Sequence, residues 1–126
     1  YRHSAPVRVF MQIGEQPIFT VSGQSFLGAL ITQCGGRNVF AGLALPAPQV
    51  STEAVILARP QLMLAFSPAL HAAWQRWPQL PAVAKGLQVT VDQDTISRPG
   101  PRLAGAAEQL CTTLDLARQK LGLTPR

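Results

Sequence analysis

The chain has 126 residues, 47% of them hydrophobic, which is the length of one domain and the apolar content of a packed core. Charged residues make up only 13%, about half the usual share, so intrinsic disorder and coiled coil are excluded. The net charge is +5, but the eleven bases, nine of them Arg, are scattered singly and only 6% of residues are aromatic, so the chain lacks the basic stripe of a nucleic-acid surface.

In chain order, Val7 to Ile13 (VRVFMQI) reads as a strand of β-branched and aromatic residues closed by Gly14. A loop bearing Pro17 and Gly23 follows. Gln24 to Cys34 has its apolar residues three and four apart and reads as a helix, ended by Gly35-Gly36. Asn38 to Phe40 reads as a short extended piece, and Pro46 and Pro48 make Ala41 to Val50 a loop. Ser51 caps a helix over about Thr52 to Ala58, with Glu53 in its first turn and Pro60 as its stop. Leu62 to Phe66 is short and continuously apolar, as a strand buried on both faces is, and falls far below the roughly 18 residues of a membrane span. Pro68 to Trp77 is a short helix ended by Pro78, and Leu87 to Val91 is an alternating strand. After the polar loop Asp92 to Gly100, Pro101 opens a last helix. Leu103, Ala107, Leu110, Leu114, Ala117 and Leu121 mark its buried face, and Gly122 ends it.

Strands alternating with helices define an α/β domain with a mainly parallel sheet. In such sheets ligands sit beyond the carboxyl ends of the strands. Three loops occupy that position: Gly14 to Gly23, Ser67 onward, and Asp92 to Gly100.

No nucleophile elbow, phosphate loop or dinucleotide fingerprint is present, and His3 and His71 have no partner at metal-ligand spacing. Asp92 and Asp94 flank one residue, a pattern more common in a solvated turn than in acid–base catalysis. No enzyme is therefore expected from these residues, with no catalytic residue and no metal site. Cys34 and Cys111 form no CxxC pair; their spacing fits two buried thiols or one long-range disulfide equally well. Phe19 sits on a loop leaving the first strand, where it can plug the sheet end or face a ligand. Asp94 and Arg98 lie four apart in a strand-end loop, where they can hold each other or a polar ligand.

Four stretches together are familiar: VRVFMQIG at 7–14, PIFTVSGQSFLGALITQCGGRNVF at 17–40, PAPQVSTEAVILARPQLML at 46–64 and RPGPRLAGAAEQLC at 98–111. In this order, and over nearly the whole chain, they resemble the C-terminal lobe of the periplasmic substrate-binding proteins of ABC importers, in the cobalamin (vitamin B12) branch. CGGRN followed by PQVSxE marks the wider cluster of corrinoid, haem and siderophore binders; RPGPRL and the later Leu-Cys favour corrinoids. The resemblance implies a Rossmann-like single lobe over 1–126, with an N-terminal lobe and most of a connecting helix lying outside this sequence. It implies a periplasmic location, an inner-membrane ABC permease as partner, a small metal chelate as cargo with no resident cofactor, and a monomeric whole protein.

Carried over residue by residue, the resemblance pairs Cys34 with Cys111 in a disulfide. It places Phe19, Asp94 and Arg98 on the ligand cleft and gives Glu53 the acidic role of docking on an Arg pocket of the permease. The sequence departs from the cobalamin branch at Ala47, where that branch has a Trp packing on the corrin. Less stacking area is left, and ferric siderophore or haem stands as the alternative ligand.

Overall fold

Alternation along the first strand decides the layering. A computed structural model describes residues 7–15, 18–23, 26–43, 48–91 and 103–122. In β1 (Val7–Glu15), Val7, Val9 and Met11 are buried on one face and Phe10 and Gln12 on the other, the period-2 consequence of a pleated strand. The first face is covered by α1 (Phe26–Gln33) and a long helix near the chain end, Leu103–Leu121, here called α5 once α2 to α4 are placed. Ile31, Leu110, Leu114 and Ala117 supply its core. The second face is covered by α2 (Thr52–Ala58), α3 (Pro68–Ala72) running into a 3₁₀ turn (Ala73–Arg76), and the single-turn α4 (Pro81–Ala84). Phe10, Val55, Met63, Trp74 and Leu80 form the core there.

The sheet order is β4-β2-β1-β5-β6, with β3 also beside β1. The remaining strands are β2 (Ile18–Thr20), β3 (Gly36–Asn38), β4 (Gln49–Val50), β5 (Leu62–Ala65) and β6 (Gln88–Thr90). Val9 pairs with both Asn38 and Leu62, and Gln12 with both Thr20 and Ala65. One edge of β1 therefore belongs to β5. The other is shared, β3 taking its first half and β2 its second. The β1–β3, β1–β5 and β5–β6 pairs are parallel, and β1–β2 and β2–β4 are antiparallel. The mainly parallel α/β sheet is borne out, with an antiparallel ribbon added at one side. All of β5 is buried, as its unbroken apolar run requires.

The ribbon corrects the sequence reading. β1 runs past Gly14 to Glu15, and the expected loop from Gly14 to Gly23 contains strand β2. Ile18, Phe19 and Thr20 are good strand formers, and Pro17 just before them masked that signal. The extended piece expected at Asn38 to Phe40 lies earlier, at Gly36–Asn38, because Ala41 N–H donates to the Asn38 carbonyl at 3.0 Å and turns the chain. The expected helix from Pro68 to Trp77 tightens to 3₁₀ after Ala72. The turn of α4 went unread, although Pro81 at its start and Gly86 past its end (φ +68°) mark it. The last strand is shorter than Leu87 to Val91, but Leu87, Val89 and Val91 do share the first face.

Two glycines divide one job. Gly35, at φ +82°, ends α1, its N–H donating to the Thr32 carbonyl at 3.0 Å. Gly36 is a packing residue: a Cβ there would lie 2.6 Å from Leu114 Cδ2 and 2.9 Å from Ile31 Cγ2, both buried. Its bareness lets the edge strand meet α1 and α5. The same junction is stitched by the disulfide Cys34–Cys111, Cα atoms 4.7 Å apart. Buried Arg118 on α5 completes it, its Nη2 donating to the Cys34 carbonyl at 2.8 Å and its Nη1 to Asp115 at 2.5 Å.

Candidate ligand and docking rim

The carboxyl ends of β1, β5 and β6 lie side by side, because these strands are parallel neighbours. The rim they form is widened by the β2–β4 ribbon. Its hinge on β1 is a bulge: Gln12 pairs with Thr20 but Gly14 with Phe19, so one extra residue, Ile13, sits in β1. The Gln12 amide spans this irregularity. Its Nε2 donates to the Gly14 carbonyl at 3.0 Å, and its Oε1 accepts the Trp74 indole N–H at 2.8 Å. Thr20 anchors the ribbon from the other side, its hydroxyl donating to the Met11 carbonyl and its N–H to the Pro48 carbonyl.

Ribbon alternation sorts the side chains. Thr20 is buried and Ile18 packs on the second-face core, whereas Phe19 is 36% exposed. Phe19 does not plug the sheet; it stands on the surface, paired in register with Gln49. From β4 the chain turns through Ser51, whose hydroxyl accepts the Ala54 N–H at 3.1 Å as the expected N-cap of α2. Glu53 follows in the exposed first turn. The β2–β4 pairing thus carries Phe19 and Glu53 on one ribbon-and-helix unit. Ala47, Asp94 and Arg98 lie outside the described residues, as do the loop Asp92 to Gly100 and Pro101.

Sequence reading missed a concavity of about 800 Å³ between this ribbon and α3, lined among others by Gln12, Ile18, Ser51, Trp74, Arg76 and Trp77. The available signal was the pair of Trp residues three apart in AWQRW, at helical spacing. Phe10 meets Trp74 edge-on at 5.8 Å between ring centroids, and Trp74 meets Trp77 at 5.6 Å.

His71 on α3 ties this layer to β6, its Nε2 lying 2.9 Å from the Val89 carbonyl. Burial holds the imidazole below its ordinary pKa of 6.5, against the opposing pull of that hydrogen bond. The fold therefore favours the neutral ring, while the unfolded chain takes up a proton near 6.5. The His71 contribution is fully present above that value and is lost as pH falls from there through the folded-state pKa. Urea midpoints at pH 7.5 and 5.5 are expected to fall with acid in the wild type and to fall less in His71→Gln; equal slopes would remove His71 as the cause.

Among the described residues no three His, Cys, Asp or Glu side chains gather as a metal site, and no helix is long and apolar enough to cross a membrane. No family model matches the chain. The vitamin B12-binding protein of Pectobacterium atrosepticum is 39% identical over 117 residues, 89% of this chain and 40% of that protein. That of Vibrio vulnificus (strain CMCP6) is 38% identical over 123 residues, 95% of this chain and 45% of that protein. Among solved structures, the periplasmic vitamin B12 binding protein BtuF of Vibrio cholerae superposes with a TM-score of 0.84 at 34% identity, over 94% of this chain and 48% of that one. The periplasmic heme-binding protein BhuT, solved with two hemes, gives 0.77 at 25% identity, over 90% of this chain and 46% of that one.

The architecture is that of a single lobe of a periplasmic binding protein. In sequence the chain is homologous to proteins named vitamin B12-binding protein, and it spans less than half the length of each relative given above. The resemblance read from the four sequence stretches is borne out.

Proposed function

We propose that this chain is the C-terminal lobe of a periplasmic substrate-binding protein that captures a cobalamin-type corrinoid and delivers it to an inner-membrane ABC permease. The observation that carries the reading is joint: 34–39% identity to vitamin B12-binding proteins together with a TM-score of 0.84 to BtuF over 94% of the chain. The relatives are binding proteins, and the lobe works by capture and not by catalysis. The ligand is cargo held between two lobes, with no resident cofactor. In this lobe Phe19 supplies an exposed aromatic face. Asp94 accepts from, and Arg98 donates to, the amides on a corrin rim. Glu53 supplies the carboxylate that meets Arg side chains of the permease, a pairing that favours bidentate, charge-assisted bonds.

A second reading keeps the architecture and changes the cargo to haem or ferric siderophore. It is favoured by Ala47, which offers no stacking surface, and by the likeness to BhuT. Titrating the whole two-lobe protein with cyanocobalamin, cobinamide, hemin and a ferric siderophore, all visible chromophores, separates the two. Cobalamin binding is expected to weaken by about 1–3 kcal/mol in Asp94→Ala and in Arg98→Ala. Glu53→Ala is expected to leave cobalamin affinity unchanged and to weaken permease binding, most at low salt. Tight hemin binding without cobalamin binding favours the second reading, and no binding of any chelate sinks both.

A further inference from the structure

At the opposite end of β1 from the rim, two arginines stand side by side with no carboxylate among the described residues to neutralise them. Arg8 on β1 and Arg37 on β3 are register partners in a parallel pair, so their side chains leave the same side of the sheet. Like charges placed directly across a sheet repel. Arg59 lies beside them: the Arg8 Nε donates to the Arg59 carbonyl at 3.0 Å. No carboxylate among the described residues is within ion-pair distance of Arg8, Arg37 or Arg59, although one does pair with Arg118. The strand is also a free edge, since among the described residues β3 pairs with β1 alone.

This arrangement is concave. A cavity of about 590 Å³ runs round the edge of β3, from Thr32 at the end of α1 to Ala58 at the end of α2, with Arg8 and Arg37 both on its wall. Arg8 is held from two directions. Its Nε bond fixes the plane of the guanidinium, and its backbone is pinned by Gln61, whose Oε1 accepts the Arg8 N–H at 3.0 Å and whose N–H donates to the Arg8 carbonyl at 2.8 Å. Among the described residues nothing bonds the Nη groups of Arg8, which leaves them to a ligand. Arg37 is exposed, and the Thr32 hydroxyl, which donates to the Gly28 carbonyl at 3.2 Å, keeps its acceptor side.

We propose that Arg8 and Arg37 form a site for a phosphate group, bound across the two strands at the end of the sheet opposite the rim. Arginine suits a tetrahedral oxyanion because its planar fork offers parallel N–H donors. A dianion between the two guanidiniums converts their repulsion into attraction. The phosphate is either a free or small-molecule phosphate or the headgroup of an anionic lipid, and both present the same oxygens to the same donors.

The probes are inorganic phosphate, at ionic strength held constant with sodium chloride, and vesicles of phosphatidylglycerol against phosphatidylcholine. Arg side-chain Nε–H resonances report contact. Saturable 1:1 shifts at Arg8 and Arg37 on adding phosphate, weakened at least tenfold in Arg37→Gln and unchanged in Arg76→Gln, are the expected result. Among the described residues the Arg37 side chain makes no hydrogen bond and its backbone pairing is kept by Gln, so its variant folds, and Arg76 lies on the other cavity. Phosphatidylglycerol binding that is lost in Arg37→Gln, without a saturable response to free phosphate, assigns the site to a lipid headgroup. A linear, non-saturating response to phosphate with no vesicle binding overturns the proposal, as does equal weakening in Arg37→Gln and Arg76→Gln.

Discussion

Removing the Cys34–Cys111 bond is expected to lower the unfolding free energy by about 4 kcal/mol. The two cysteines are separated by 77 positions, so the bond closes a loop of most of the domain. In the chain-entropy description the gain comes from the unfolded ensemble, which loses freedom in proportion to the logarithm of the loop. The folded end of the comparison is well held without the bond. Arg118 still donates to the Cys34 carbonyl, Leu114 still packs against Gly36, and Gly35 still closes α1. The Cys34→Ala/Cys111→Ala double variant should therefore keep its far-ultraviolet signal and lose stability. Urea unfolding of wild type, wild type with reductant, and the double variant gives the number; a loss under 1 kcal/mol in both altered forms would show that loop closure is not what the bond supplies. Disulfides form and persist in oxidising compartments and are rare in the cytosol, which supports the periplasmic reading.

The elements that sequence reading placed best are those whose signal is local and repeated. α2 shows this most plainly. Ser51, Glu53 and Pro60 mark its start, first turn and stop, and the helix runs Thr52–Ala58 as expected. Its last residue before the proline, Arg59, takes up φ +50°, a left-handed cap without glycine that no pattern announces. β5 was equally legible, since a short apolar run has few other uses. What local reading lost depends on pairing. β2 and β4 are three and two residues long, too short for a period; β2 exists because β1 and β4 flank it, and β4 because it pairs with a strand distant in sequence. β3 ends at Asn38, where the Ala41 N–H turns the chain, and its start at Gly36 is fitted to Leu114 from the other end of the chain, a packing partner that local reading does not show.

The candidate site divides the same way. Phe19 and Glu53 both stand exposed, but their common placement follows from the β2–β4 register, which the sequence does not display. The partnership of Gln12 and Trp74 joins residues 62 positions apart and has no local signal at all. The same holds for Arg8 and Arg37, which read singly as two of eleven scattered bases and become a pair only through the parallel register of β1 and β3.

Trp74→Ala is expected to cost about 3–5 kcal/mol, at the upper end of single substitutions, because three losses fall on one residue. Trp74 is buried to 2% exposure, so its removal leaves a cavity in the second-face core that its neighbours fill only in part. It holds Phe10 edge-on at 5.8 Å and Trp77 at 5.6 Å, contacts that add to the area term. Its indole N–H is also a donor to Gln12 Oε1, on a side chain only 3% exposed. Without it a buried acceptor loses its partner, a penalty of about 1–3 kcal/mol for a neutral group. Trp74→Phe separates these terms. It keeps an aromatic body and most of the volume but not the donor, so its cost is expected near the hydrogen-bond penalty and well short of the alanine value. The separation matters for function, since Gln12 holds the β1 bulge on which the Phe19-bearing ribbon hinges. Both variants should therefore weaken ligand binding by the whole protein more than a core substitution remote from the rim, such as Leu110→Ala on the opposite face, once each is compared at equal fraction folded. Denaturant unfolding and a corrinoid titration on the same preparations give the two numbers. Equal stability loss in Trp74→Ala and Trp74→Phe would show that packing contributes little here, and unchanged affinity in both would disconnect the Gln12–Trp74 bond from the rim.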